Sequence, residues 1–210
     1  MGGLFHPDSK LVQMMVFFTN LICLNLLWII GCIPIITAGA STAAMYSVLF
    51  GYLTNKDDAV LKPFWRAFCD NFRQATPLWI FHIPVTAALA AGVFYMTLGV
   101  KGWVLVLFGI LLFIYAAASS YCYPILARFE TTVRSAIFNS FALTFRHLLS
   151  SVSMVIINAL PVVLILVAPN VFWQTILAWT LIGFSLSAYL NAKIMLPIFR
   201  KYENAQEENE

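Results

Sequence analysis

The sequence predicts an all-α, polytopic membrane helix bundle with about six membrane segments and two cytoplasmic interfacial amphipathic helices. Two observations carry this. The twelve Lys/Arg and nine Asp/Glu leave four long gaps: 45 residues between Lys10 and Lys56, 27 between Arg73 and Lys101, 26 between Lys101 and Arg128, and 46 between Arg146 and Lys193. A bilayer core of ~30 Å takes about 20 helical residues. Each middle gap therefore holds one crossing and each outer gap two. The second observation is composition: 61% hydrophobic and only 10% charged residues, outside the range of soluble domains of 210 residues.

The elements follow in order. MGGLFHPDSK is not read as a signal peptide, because the apolar run after it far exceeds an h-region. Segment one is roughly Leu11–Ile36, ended near Pro34, which cannot continue a hydrogen-bond ladder. Segment two is roughly Ser41–Leu53, with Thr37 or Ser41 as its cap. It is short, and Gly39, Ala40, Ala43 and Ala44 permit close helix approach. It spans, packs as a short helix inside the bundle, or re-enters on the same side. Segments three (Pro77–Leu98) and four (Val104–Pro124) flank an outside turn at Lys101. Segments five (Ser151–Ala168) and six (Phe172–Leu196) flank one at Pro169-Asn170.

With both termini cytoplasmic, eleven of the twelve Lys/Arg lie inside, as the positive-inside rule requires. This places the chain in the plasma membrane, in contact with lipid.

Two cytoplasmic stretches read as interfacial helices. In Leu61–Ala75, Phe64, Trp65, Phe68, Phe72 and Ala75 share a face opposite Arg66, Asp70 and Arg73. In Ala136–Leu148, Ile137, Phe138, Phe141, Phe145 and Leu148 share a face opposite Asn139 and Arg146. Each should lie aromatic face down in the interface. A faint repeat at an offset of 73 aligns Phe68, Phe72 and Arg73 with Phe141, Phe145 and Arg146, and Pro124, Arg128 and Glu130 with Pro197, Lys201 and Glu203. The chain then divides into a hairpin (11–54), a helix-crossing-crossing unit (61–130), a similar unit (133–203) and an acidic tail (204–210). Common descent and shared interfacial chemistry both account for the likeness.

Polar groups inside the segments are Asn20, Asn25, His82, Asn158, Asn191 and Lys193. No intramembrane Asp or Glu supplies a proton relay. Interhelical hydrogen bonds account for the asparagines, and Lys193 can snorkel. The four cysteines have no metal or CxxC spacing, and there is no P-loop, HExxH or serine with a recognisable base. No catalytic residue, cofactor or metal is expected. Nucleic-acid binding is excluded by the lack of a basic cluster.

The run Asn25-Leu26-Leu27-Trp28, then Pro34, Thr37, Gly39 and Ala44-Met45-Tyr46, resembles the N-terminal signature of the YesL-type bacterial integral membrane proteins. Phe64–Arg73 and Phe138–Arg146 match the aromatic, basic helices of that family. Ala40 stands where relatives often have proline. The resemblance implies a Gram-positive source and association with the permeases of carbohydrate ABC importers. It carries no catalytic residue. Independently of the resemblance, Trp28, Pro34, Thr37, Gly39, Ser41, Thr42 and Tyr46 read as a tight hairpin whose small-residue face docks on the chain's own bundle or on a partner's helix. The function expected is a non-catalytic accessory subunit of a carbohydrate importer. The alternatives are an independent small transporter or channel, and a helper in envelope glycopolymer synthesis.

Overall fold

The computed structural model describes residues 9–54, 59–96 and 102–207. Among these the chain is helical throughout, without strands: α1 (Lys10–Cys32), α2 (Ala38–Leu53), α3 (Leu61–Met96), α4 (Gly102–Arg128), α5 (Val133–Arg146), α6 (Leu148–Val167), α7 (Pro169–Ala178), a π-turn (Trp179–Gly183) and α8 (Phe184–Glu207). Lys56, Lys101 and the end of the acidic tail lie outside the described residues.

Five helical runs are long and apolar enough to cross a membrane: α1, α3, α4, α6 and the run from α7 through α8. In the most apolar stretch of the last four only 11% of residues are buried. Leu149, Leu166, Val167 and Phe138 are largely exposed. Such outward apolar surface is stable only with lipid as the solvent. The chain is a multi-pass membrane helix bundle.

Segment two is shorter than these five runs and does not face lipid as they do. At 16 residues α2 is ~24 Å long, short of the ~30 Å core. It is the buried centre of the bundle, packed on α1, α3, α4 and α8. Its small residues explain this. A Cβ on Gly39 would run into the Ala75 carbonyl and lie 2.7 Å from Trp79 Cβ. Ala40, Ala43 and Ala44 are fully buried.

Ser9 caps α1 by accepting from the Val12 amide. The helix stops two residues before Pro34, and Ile35 takes φ 43°, a strained conformation for a β-branched residue. Neither expected hydroxyl caps α2. Thr37 Oγ1 donates back to the Gly31 carbonyl (2.6 Å), and Ser41, inside the helix, donates to the Trp28 carbonyl (2.9 Å). With the Trp28 indole on Thr42 Oγ1 (3.1 Å), these bonds lock the α1–α2 hairpin in place of a cap.

The first amphipathic stretch is not a separate interfacial helix. It runs without a break into the crossing, as the 36 residues of α3. Pro77 and Pro84 each remove a ladder bond but do not end the helix. Its aromatic face is also divided. Phe64 and Ala75 are fully buried, because α2 packs along this part of α3, while Trp65 and Phe72 remain exposed. The second stretch is a separate helix, α5, capped by Thr132. It buries Ala136, Ser140, Leu143 and Thr144 and leaves Phe138, Phe141 and Phe145 outside.

The turn expected at Pro169-Asn170 narrows to Ala168, because Pro169 starts α7 at a position where its missing N–H costs nothing.

The ends of α4 and α8 meet. Arg128 makes two bonds to Glu203 (2.7 and 3.0 Å), and Phe129 lies edge-on to Phe199.

Candidate functional site: an open aromatic pocket of the bundle

Asn25 is fully buried, and its amide is spent on the π-turn. Nδ2 donates to the carbonyls of Thr180 (2.6 Å) and Trp179 (3.3 Å), and Oδ1 accepts from the Ser185 amide (2.8 Å). Ser185 Oγ donates to the Leu21 carbonyl. A π-turn spoils the regular carbonyl ladder, and Asn25 supplies the missing donor from a neighbouring helix. Gly183 is required here, since any Cβ would collide with the Trp179 ring. The clamp fixes Trp179, whose ring meets Phe184, and Phe184 in turn packs on Trp28.

Those aromatics form one wall of a cavity of about 700 Å³. Trp79, His82 and Thr86 line it from α3, Tyr115, Ser120 and Tyr123 from α4, Asn158 from α6, and Tyr46 from α2. His82 Nδ1 lies 3.0 Å from the Tyr123 hydroxyl, and the Tyr115 hydroxyl 2.7 Å from Thr86 Oγ1. Asn191 Nδ2 donates to Asn158 Oδ1 (2.7 Å) and Asn158 Nδ2 to Ser120 Oγ (2.9 Å), with the Tyr46 hydroxyl 3.5 Å from Asn191. None of the lining residues is Asp, Glu, Lys or Arg.

The structure thus gathers Trp28, Thr42, Tyr46, His82 and Asn158 at one cavity, and Asn25 and Asn191 just behind it. Pro34, Thr37, Gly39 and Ser41 belong to the hairpin that holds the wall. Phe68 and Arg73 on α3, Phe138, Phe141, Phe145 and Arg146 on α5, and the exposed Lys193 stand apart from it. Among the described residues no group of three His, Cys, Asp or Glu could hold a metal. Sequence reasoning missed the π-turn, Trp179 and the cavity. Gly183 beside a tryptophan was the one local trace.

Residues 21–96, from the middle of α1 to the end of α3, match a family described as "Protein of unknown function, DUF624". No curated protein and no solved structure matches the chain.

Proposed function

We propose that the chain is a non-catalytic accessory subunit of a bacterial carbohydrate ABC importer. In this reading it sits in the plasma membrane of a Gram-positive cell with both termini cytoplasmic, assembles with the permease and supports or regulates sugar uptake. The observation that carries the non-catalytic, non-energised part is how the intramembrane polar groups are used. Asn25, Asn158, Asn191 and His82 all bond to other helices of the same chain. None faces a carboxylate that would carry a proton or a coupling ion. The exposed apolar faces of α4 and α6 offer ample area for a partner's helices. The resemblance to YesL-type proteins supplies the identity of the partner, and the eleven inward basic residues supply the orientation.

The cavity favours a second reading, an independent small transporter. Tagged chain purified in gentle detergent from its native host grown on complex glycans separates the two. The accessory reading expects permease subunits in near-equal amount. Recovery of this chain alone from membranes that contain an intact importer overturns it, and sugar flux into liposomes holding only this chain establishes the second.

A further inference from the structure

We propose that the cavity is a binding site for an uncharged, polyhydroxylated ring molecule about the size of a small oligosaccharide. The inference goes beyond the importer partnership, because it concerns what this chain binds when alone.

The first argument is polarity at depth. Asn158 is exposed, on a helix whose other exposed residues include Ile156, Leu160 and Val162. An amide at membrane depth is tolerated facing water or a ligand, and is costly facing lipid. Its own bonds leave capacity unused: one amide hydrogen goes to Ser120 and one oxygen lone pair to Asn191. A lipid tail does not satisfy what remains of Asn158.

The second argument is charge. A charged ligand would leave water for a wall that offers no opposite charge to compensate its desolvation. The occupant is therefore neutral.

The third is shape. Flat rings of Trp28, Trp79 and Trp179, with Tyr115 and Tyr123, stand beside hydroxyls and an amide. The negative π faces receive the C–H faces of a sugar-like ring, while the polar groups take its hydroxyl edge. A volume of about 700 Å³ lies in the ~300–1,000 Å³ range of compact ligand sites.

The six tryptophans make the test direct. Trp65, Trp103 and Trp173 are exposed, and replacing them with Phe leaves the three of the cavity as reporters. The full chain carrying these changes, in lipid nanodiscs, is titrated with lactose, cellobiose and maltotriose as neutral probes. Lactobionate serves as a charged one. Expected are a saturable change in tryptophan emission with at least one neutral probe, and binding of lactobionate at least ten-fold weaker than of lactose or undetectable. Asn158→Ala should weaken the neutral probe about ten-fold. Thr86→Val, further along the wall, provides a second variant should the first not fold, and should weaken it several-fold. Three results overturn the proposal: no neutral probe saturates, lactobionate binds as well as lactose, or brominated acyl chains quench the cavity tryptophans and no sugar relieves the quenching. The last result assigns the cavity to lipid. Co-purification of a permease is unaffected by any of them, so this inference and the importer reading fail separately.

Discussion

Replacing Asn25 with Leu removes a buried amide of similar length and leaves three backbone groups of the π-turn region without their partner. The lost bonds are those to the Thr180 carbonyl at 2.6 Å, to the Trp179 carbonyl at 3.3 Å and from the Ser185 amide at 2.8 Å. Interhelical hydrogen bonds in membrane proteins average ~0.6 kcal/mol and reach ~1.7. Three predict a loss of about 2 kcal/mol at the mean and about 5 at the upper limit. The upper part of that range is expected, since Asn25 is fully buried and an abandoned buried amide N–H is the costlier case. Reversible unfolding in mixed detergent micelles reads the difference. Ser153→Ala serves as control, because its hydroxyl bonds only to the Leu149 carbonyl of its own helix. A loss below about 0.5 kcal/mol, the scale of surface substitutions, would refute the clamp. So would an unchanged Trp179 environment by fluorescence.

Other outcomes follow from the same packing. Gly39→Ala should cost about 1–3 kcal/mol in the same assay, because the new methyl meets the backbone carbonyl of Ala75 and not a movable side chain. Glu203→Gln should cost about 1 kcal/mol, and exchanging the charges (Arg128→Glu with Glu203→Arg) should recover part of it. Partial burial and the nearby Lys201 and Arg146 hold His147 below its ordinary pKa. The unfolded chain therefore binds its proton first, so this contribution is full above the ordinary histidine pKa and is lost as pH falls from there through the depressed folded value. His147→Gln should flatten that slope in a pH series of melts. Ser in place of Phe68, Phe72, Phe141 and Phe145 should reduce membrane-seated protein in fractionation, and unchanged yield and localisation would contradict the seating role given to these faces.

The crossings were legible because charge is so costly in lipid that its absence marks them, and the hairpin because Pro34 stands just before the small residues Gly39, Ala40, Ala43 and Ala44. The fusion of the amphipathic stretch with segment three was not legible. Proline usually ends a helix in water, yet inside this bundle Pro77 and Pro84 are carried through. The burial of Phe64 but not Trp65 depends on where α2 lies, which no periodicity encodes. The cavity was least accessible of all. Asn25 and Thr180 are 155 residues apart in the chain, and Tyr46 and Asn191 are 145 apart. The asparagines were readable as interhelical glue, but not which helix each would reach.

The continuity of α3 has a mechanical side. Thirty-six residues make a rod of ~54 Å, far longer than the bilayer core is thick. Its first half carries the exposed Trp65 and Phe72, and its second half carries Trp79 and His82 into the cavity wall. Pro77 sits between them as a weakened joint. With that joint stiff, a push on the aromatic face at one end tilts the wall at the other. Spin labels at positions 65 and 86 would register both arms moving together, and independent motion of the two would show the joint to be slack.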